Sequence, residues 1–319
     1  MVYNRALTKT SEILHTITNP KSPQRLTAIL LAVLVTFLWS SSWVLIKMGL
    51  KDLPAIYFAG LRYTLAFFCL LPFAIRKGLP ATLRRINRND WGRLIALGVL
   101  FYALTQGAQF LGLEYLPAVT VSMLLNFTSP VVAFLGILFL AERPTLLQWG
   151  GMLFFLGGVI VYFYPTAVPE GGEIGVVFVS IGVLANALSA ILGRKVNRAG
   201  HIDALTITVI SMGVGGILLL VSGYLLQDTP PLKPIHWAMI GWLAIVNTAI
   251  AFTLWNFTLR TLTAVESSII NSTMLIQIAV IAWVFLGEHL SMRQLIGMVL
   301  AGVGVLIVQL RKSSSPRST

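Results

Sequence analysis

The chain has 319 residues, of which 56% are hydrophobic and 11% charged, and its mean hydropathy is +0.84. Soluble globular domains are about 25% charged, so this composition excludes an ordinary water-soluble protein. The formal net charge of +12 also occurs in nucleic-acid-binding proteins. Here the basic residues lie in short segments beside apolar stretches, where anionic lipid headgroups are the nearest partner. We therefore expect a membrane protein that contacts anionic headgroups and binds no nucleic acid.

Ten apolar stretches are long enough to be transmembrane helices. Such a helix needs about 20 mostly apolar residues, because hydrocarbon offers no partner to open backbone groups. In chain order the predicted spans are 27–46, 55–75, 94–113, 117–140, 146–164, 174–193, 204–226, 237–259, 267–286 and 294–310. Arg62 is the only Asp, Glu, Lys or Arg within these windows. The predicted fold class is all-α, a polytopic membrane protein of ten transmembrane helices.

The second half of the chain repeats the first at a spacing of 146 residues, the distance from Glu142 to Glu288. Each glutamate follows a Phe-Leu-small triplet and precedes a Gln, a Gly and a Met at the same offsets. The match runs without a gap from Trp91 to Val159, and so many coincidences at one shift indicate a duplication. We expect repeats at 27–164 and 174–310, an outside loop at 165–173, and cytosolic tails at 1–26 and 311–319.

The distribution of Lys and Arg predicts the orientation. With a cytosolic N-terminus, 18 of the 23 basic residues fall on the cytosolic side, four fall outside and Arg62 lies in a span, which is a strong positive-inside bias. Residues 1–25 lack the apolar core of a signal peptide. Both termini are expected in the cytosol, and the membrane is expected to be the plasma (inner) membrane. Because five spans per repeat is odd, the two repeats should have opposite orientations, as in many secondary transporters.

Several motifs resemble one family of transporters. They are Trp39-Ser-Ser-Ser-Trp-Val-Leu-Ile-Lys47, Ala59-Gly-Leu-Arg62, Asn126-Phe-Thr-Ser-Pro130, Ala141-Glu142-Arg143 and Gly287-Glu288-His289. They are similar to EamA-type members of the drug/metabolite transporter superfamily, and the likeness covers about residues 27–310. The resemblance implies a ten-helix inverted repeat with a central cavity, and transport or export of small metabolites such as amino acids. The small multidrug relatives use a membrane-embedded glutamate, which this sequence lacks.

Polar and aromatic residues inside the spans are the candidates for binding substrate. They are Trp39, Ser40, Trp43, Lys47, Arg62, Tyr102, Gln106, Gln109, Asn126, Asn186, Asn247, Trp255, Asn271 and Gln277. In the first span the aromatic pair and Lys47 share a helical face, with lipid packing and snorkelling as the alternative. In the third span a Tyr-Gln-Gln stripe favours a cavity over interhelical hydrogen bonds. For each candidate in the second half, the simpler alternative is a packing contact.

Two polar features of the early spans have both a functional and a structural interpretation. Near Asn126, Pro130 frees a backbone carbonyl that a substrate, a water or a neighbouring helix could use. Arg62 should face the protein interior and have a partner, because a charge in a span costs about 2.5 to 3.5 kcal/mol on insertion scales. That partner is either Asp52 or Glu114, in a structural ion pair, or a substrate carboxylate or other anion.

The predicted function is a secondary transporter, an exporter or exchanger, that moves small polar metabolites by alternating access. All carboxylates and histidines lie in tails, loops or span ends, whereas proton-coupled carriers usually need one within the membrane; we therefore expect facilitative transport. The alternatives are a flippase of lipid-linked or amphiphilic substrates and a polytopic membrane enzyme. Catalytic and metal-ligand motifs are absent from the sequence, and Cys69 is the single cysteine. We expect no catalytic residue, metal or cofactor, and a monomer or weak homodimer.

Overall fold

The structure, a computed structural model, is all-helical in the part of the chain that it describes. It describes residues 23–140, 145–164, 168–200, 202–259, 261–262 and 264–309. The helices, numbered by span, are α1 (Pro23–Gly49), α2 (Ala55–Arg76), α3 (Arg88–Tyr115), α4 (Ala118–Leu125 and Thr128–Leu140), α5 (Leu146–Phe163), α6 (Glu173–Ala199), α7 (Ala204–Leu226), α8 (Pro234–Ala244, Ile245–Ile250 and Ala251–Thr258), α9 (Ala264–Ser272 and Met274–Leu286) and α10 (Met292–Gln309). A short helix, Leu79–Leu83, connects α2 to α3.

The helices have the length and composition of transmembrane spans. Within the described ranges nine are long and apolar enough to cross a bilayer, and α10 contributes a shorter apolar helix over Met292–Val308. Large apolar side chains such as Leu153, Ile160 and Trp283 are exposed on the surface of the bundle. That is the side-chain distribution of a bundle whose outer face contacts lipid rather than water. The chain is a multi-pass membrane protein, and the prediction of an all-α polytopic fold is confirmed.

Glycines bring α5 against α10 at backbone distance. A Cβ added to Gly158 would lie 2.3 Å from the backbone nitrogen of Ala301 and 2.6 Å from the carbonyl oxygen of Gly297. At the other end of the contact, a Cβ on Gly304 would lie 2.6 Å from the carbonyl oxygen of Gly151. Position 151 therefore faces 304 while position 158 faces 297, so the two helices run antiparallel. Only glycine permits this approach, as in other close helix pairs in membranes.

The antiparallel contact establishes that the repeats are inverted. Helix α10 is the repeat equivalent of α5, since Leu146–Phe163 shifted by the 146 residues between Glu142 and Glu288 becomes Met292–Gln309. Helices α2 and α7 pair in the same way: Gly60 packs on Leu220, and Gly223 packs on Tyr57. Equivalent helices that lie side by side and point in opposite directions are related by a two-fold axis between them. The predicted 5+5 inverted architecture is confirmed, although Glu142, used to find it, lies outside the described residues.

Two irregularities that the sequence analysis did not predict recur in both repeats. Helix α3 contains a π-helical segment at Gly98–Gln106, and α8 contains one at Ile245–Ile250. The first range shifted by the repeat spacing is 244–252, so the segments are equivalent. In each, a threonine hydroxyl donates to the carbonyl five residues earlier, Thr105 to Leu100 and Thr248 to Leu243, both at 2.8 Å. Such segments are frequent at functional sites in helices.

Both α4 and α9 are interrupted at equivalent positions, where the sequence predicted continuous spans. Pro130 has no N–H to offer to the carbonyl of Asn126, which accepts instead from Ser129 at 3.1 Å, so α4 restarts at Thr128. In α9 no proline is present; the N–H of Thr273 turns back to Ile270 at 3.1 Å and its hydroxyl donates to the same carbonyl at 2.6 Å. The two breaks free backbone polar groups within the bundle.

The α5–α10 contact predicts a sharp difference between two adjacent glycines. Gly158→Ala should destabilise the protein by about 1–3 kcal/mol, because the added methyl group meets backbone atoms that cannot move aside. Gly157→Ala is the matched control, since a Cβ there has nothing within 4 Å. Thermal unfolding of the detergent-purified variants, followed by size-exclusion chromatography, measures both. Equal melting temperatures for the two variants would contradict the antiparallel backbone contact.

Candidate functional site

A small polar pocket lies where the two interrupted helices meet. It has a volume of about 160 Å³ and lies among α1, α4, α9 and α10. Its lining consists of Trp43, Ser122, Leu125, Asn126, Asn271, Ser272, Met274, Leu275, Ile278 and Val305. Because α4 belongs to one repeat and α9 to the other, the pocket lies between the two halves. Inverted-repeat transporters place their substrate sites at such an interface, beside discontinuous helices.

Three of the sequence-predicted residues line this pocket, and they differ in how their polar atoms are satisfied. The Asn126 amide donates to the carbonyl of Ser122 at 2.8 Å, within its own helix. The amide of Asn271 has no hydrogen bond in the described structure and is not among the occluded polar atoms. Trp43 is 9% exposed and contributes an apolar wall. Asn271 is thus a pocket side chain whose amide is unpaired in the described structure and is not occluded.

A second group of predicted residues gathers among α2, α3 and α8. The Tyr63 hydroxyl donates to Oε1 of Gln106 at 2.7 Å, and the rings of Tyr63 and Tyr102 lie 5.6 Å apart in an edge-to-face arrangement. Arg62 lies over the Tyr63 ring at 5.1 Å and is 5% exposed. Both Nε and Nη2 of Arg62 point at the hydroxyl of Thr248, at 3.4 Å. We call this group the Arg62 cluster: Arg62, Tyr63, Tyr102, Gln106 and Thr248.

The π-helical segments shape the Arg62 cluster. The segment in α3 carries Tyr102 and ends at Gln106, so the stripe predicted from ideal helical spacing is distributed differently: Tyr102 is buried, whereas Gln106 and Gln109 are half-buried. The segment in α8 presents Thr248, whose hydroxyl hydrogen is committed to Leu243 at 2.8 Å. The oxygen of Thr248 therefore faces Arg62 as an acceptor. Sequence reasoning missed Tyr63 and Thr248, since neither departs from an ordinary span composition.

Neither carboxylate considered as a partner of Arg62 pairs with it. Asp52 faces the ring of His236 at 3.3 Å. Glu114 is exposed at the C-terminal end of α3, where it lines a cavity. Within the described ranges, the guanidinium hydrogen-bonds to the Thr248 hydroxyl and lies over the Tyr63 ring. A buried cation normally has an anionic or strongly polar partner in a span. Among the described residues, therefore, no side-chain carboxylate compensates the charge of Arg62.

Lys47 belongs to a different place, the cavity at the predicted outer end of the bundle. Its Nζ donates to the carbonyls of Leu113 at 2.6 Å and Leu116 at 2.7 Å, so it caps the C-terminus of α3, where the helix dipole favours a cation. The cavity measures about 450 Å³ and is also lined by Glu114 and Glu288. Both interpretations of Lys47 therefore apply in part: it lies near the end of its span, and it borders a cavity.

Glu288 connects the second repeat to the first at this same end. Its carboxylate accepts from the backbone N–H of Ala118 at 2.8 Å and of Val119 at 3.3 Å, the first groups of α4. Helix N-termini favour negative charge because their first N–H groups have no partner within the helix. The repeated glutamate motif, found from sequence as a marker of duplication, thus supplies a helix cap between repeats. Near the opposite end, Arg25 of α1 pairs with Glu266 of α9.

The remaining predicted residues form contacts between helices. Ser40 donates to Oε1 of Gln277 at 3.0 Å, and Nε2 of Gln277 donates to Thr36 at 3.2 Å. Asn247, fully buried, donates to the carbonyl of Leu38 and to Ser41 at 3.3 Å. The other contacts are Asn186 donating to Thr128 at 3.3 Å, and the ring of Trp39 at 5.2 Å from that of Trp255. These contacts have the geometry of the packing alternative.

One atom in that group is not satisfied. Oδ1 of Asn247 is occluded and has no hydrogen-bond partner in the described structure, although Nδ2 of the same side chain makes two. The hydroxyl of Ser272, at the break in α9, is in the same condition and borders the pocket. An unsatisfied buried polar group costs about 1–3 kcal/mol. Ser272 lines the pocket between α4 and α9, whereas Asn247 lies on α8, outside that lining.

Comparison with known proteins agrees with this architecture. Residues 26–164 and 173–310 each match the EamA-like transporter family. An uncharacterized transporter of Bacillus subtilis (strain 168), YvbV, is 27% identical over 299 residues, covering 92% of this chain and 94% of its own. A solved crystal structure with 16% identity covers 88% of this chain and 97% of its own with a TM-score of 0.63, which supports the fold alone.

Two relatives have names that include a substrate. A protein of Salmonella typhimurium named a probable amino-acid metabolite efflux pump is 28% identical over 291 residues, covering 87% of this chain and 93% of its own. An S-adenosylmethionine/S-adenosylhomocysteine transporter of Chlamydia muridarum is 28% identical over 275 residues, covering 82% and 85%. The family match extends over most of the chain in two copies, as the inverted repeat requires. The chain belongs to the EamA-like transporter family.

Proposed function

We propose that this transporter moves small polar organic solutes, such as amino acids, out of the cell by alternating access, each solute down its own gradient. The observation that carries the proposal is the pocket between the interrupted helices α4 and α9, one from each repeat. Two similar halves of opposite orientation can exchange conformations around such a pocket, opening it to one side and then to the other. The relatives named for amino-acid metabolites and for S-adenosylmethionine support a small metabolite as the solute.

The pocket has the chemistry of a binding site for a polar solute rather than of a catalytic centre. Asn271 and Asn126 bring amide groups to the pocket, Ser122 and Ser272 also line it, and Trp43 is part of its apolar wall. Catalysis would need a nucleophile beside a base, or a set of metal ligands. Among the described residues no group of three His, Cys, Asp or Glu side chains could hold a metal ion. We infer a carrier without enzymatic activity.

The orientation belongs to the same proposal. With both termini in the cytosol of a plasma (inner) membrane protein, the basic loop between α2 and α3 faces the anionic headgroups of the inner leaflet. Arg76, Lys77, Arg84, Arg85 and Arg88 are all exposed in this region. Polybasic segments beside spans are attracted to such headgroups by about 1 kcal/mol per residue near the surface. A monomer, or a weak homodimer, is sufficient because the pocket lies within one chain.

Replacing Asn271 should weaken transport without weakening the fold. Asn271→Ala removes an amide that has no hydrogen bond in the described structure, so stability should be unchanged, while the loss of one solute hydrogen bond, about 0.5–1.5 kcal/mol, should raise KM about 2- to 12-fold. Counterflow into proteoliposomes, screened with amino acids, monocarboxylates, sugars, nucleobases and quaternary amines, measures the effect. Asn197→Ala is the control, because that exposed amide bonds only to the carbonyl of Gly193. If no solute of the panel moves with the wild-type protein, the carrier function is wrong.

Cysteine labelling tests the orientation. In a Cys69→Ala background, Ser291→Cys in the α9–α10 loop should react with a membrane-impermeant maleimide on intact cells. Asn89→Cys near the start of α3 should react only after permeabilisation. Both positions are exposed in the structure, so the membrane is the barrier that distinguishes them. The reverse pattern would place the termini outside, and labelling of both sites on intact cells would contradict the inverted topology.

A further inference from the structure

Arg62 is a buried cation whose hydrogen-bond donors are only partly used. The side chain is only 5% exposed. Its hydrogen bonds to the Thr248 hydroxyl are long, 3.4 Å from Nε and 3.4 Å from Nη2, and they use only two of its nitrogen atoms. A guanidinium has five N–H donors, and hydrogen bonds near 3.5 Å are weak. The guanidinium of Arg62 therefore keeps unpaired N–H donors, and a positive charge without an anionic side-chain partner among the described residues, inside a span.

One donor group of Arg62, Nη1, has no partner in the described structure. Nη1 has no hydrogen bond in the described structure and is not among the occluded unpartnered atoms, so it is accessible to a solvent-sized group. Gln106 is in the same position: its Oε1 accepts from Tyr63 at 2.7 Å, while its Nε2 donates to nothing in the described structure and is not occluded. Tyr63 touches both, through its ring and its hydroxyl. A cation and an amide donor thus border the same aromatic side chain with free N–H groups.

We propose that the Arg62 cluster, whose residues do not line the pocket between α4 and α9, is a second subsite of the carrier. It would bind the carboxylate of the transported solute, and the solute would be a small organic anion with a net charge of −1. This rests on the carrier function proposed above and narrows its substrates: among amino acids, those with a net charge of −1 would be preferred to zwitterions. A planar guanidinium matches a carboxylate through two parallel N–H···O bonds. The cluster supplies one cation and otherwise neutral groups, namely Tyr63, Tyr102, Gln106 and Thr248. One positive charge in an apolar surrounding is balanced by one negative charge, which favours a monoanion over a zwitterion or a dianion.

The charge of the solute also predicts the direction of transport. Every Asp, Glu and His in the sequence lies in a tail, a loop or near a span end, so the spans offer no such group near mid-membrane to bind a proton together with the anion. A monoanion that crosses without a proton moves one net charge per cycle. An inside-negative potential then drives the anion outward; at 100 mV the energy of about 2.3 kcal/mol corresponds to an about 50-fold gradient at equilibrium. Export would need no further energy source.

The first arm of the test measures binding specificity by counterflow in proteoliposomes. The probes are lactate and pyruvate as monocarboxylates, lactamide as the neutral match of lactate, and alanine as a zwitterion, together with any solute found to move in the broader panel. Arg62→Gln should reduce monocarboxylate counterflow at least 10-fold, and Arg62→Lys, which keeps the charge but loses the planar fork, should retain part of it. Arg76→Gln on the same helix is the control, because Arg76 is exposed and takes no part in the cluster.

The outcomes separate this proposal from the carrier function. If the wild-type protein moves lactamide, alanine or other solutes without net negative charge as well as it moves monocarboxylates, or if a folded Arg62→Gln protein keeps full monocarboxylate counterflow, the anion site is wrong and the carrier function remains. If no solute moves, both are wrong. Folding is checked by size-exclusion chromatography. If Arg62→Gln does not fold, Arg62→Lys is used instead. Monocarboxylate counterflow should fall in Arg62→Lys if the planar guanidinium binds the carboxylate, and should stay unchanged if Arg62 is only a structural cation.

The second arm measures charge movement. Net uptake of the monocarboxylate should rise when valinomycin and a potassium gradient make the vesicle interior positive, and should fall when they make it negative. Exchange of the anion against itself should not respond, because it moves no net charge. Net uptake driven by a pH gradient and insensitive to the potential would mean that a proton accompanies the anion, and would overturn the single-charge cycle.

Discussion

Backbone contact between equivalent helices constrains the rest of the structure. Gly158 and Gly304, which are repeat equivalents of one another, let α5 and α10 approach until a methyl group would collide with main-chain atoms. Contacts this close fix the relative position of two helices to within fractions of an ångström, since main-chain atoms cannot change rotamer. With α2 and α7 joined in the same way, the five helices of each repeat are held around one two-fold axis. The pocket between α4 and α9 lies between the halves that this axis relates.

The irregular backbone of both repeats is permitted only because it lies inside the bundle. In hydrocarbon, each open N–H or C=O costs several kcal/mol, so interruptions of a span occur where protein or water can satisfy them. The breaks at Asn126 and Thr273 follow this rule: short turns reuse part of the freed groups, and Asn271 and Ser272 are left beside the pocket. The π-helical segment of α8 likewise brings Thr248 to Arg62, and the π-helical segment of α3 ends at Gln106. The irregular backbone therefore occurs at equivalent positions in the two repeats, next to the polar side chains of the pocket and of the Arg62 cluster.

The sequence predicted the architecture better than the site, for physical reasons. Span positions depend on apolar length, and the duplication depends on motif spacing, both of which are visible without coordinates. For α4 the sequence predicted a proline effect at Pro130 within a continuous span, but not a break. For α9 it predicted no irregularity, because the turn at Thr273 depends on a side-chain hydroxyl common to many continuous helices. The π-helical segments also have no composition of their own. They shift the helical phase, so ideal spacing placed Tyr102 on an open face where the structure buries it.

Interhelical partners were the hardest to predict, and Arg62 shows why. Its possible partners were chosen from the nearest acids by depth, but depth alone does not determine which faces meet. Asp52 faces His236 and Thr248 faces Arg62 because the two-fold packing sets those faces. Charge alone did reveal that Arg62 was unusual, since an arginine in a span costs about 2.5 to 3.5 kcal/mol. What required coordinates was the finding that no carboxylate in the described structure compensates for it.

Two contacts between repeats, one near each end of the bundle, connect the fold to the proposed transport cycle. At one end the Glu288 carboxylate caps α4; near the other, Arg25 of α1 pairs with Glu266 of α9. Both contacts are present together in this structure. Alternating access opens one end at a time, so in each open state the contact at the open end has to separate while the other persists. Each joins groups that water can solvate once they part, which keeps the net cost of separation to about the 1.5–3 kcal/mol of a hydrogen bond to a charged group. In the proposed cycle, contacts of that strength are weak enough for the binding energy of a solute to shift the balance between conformations.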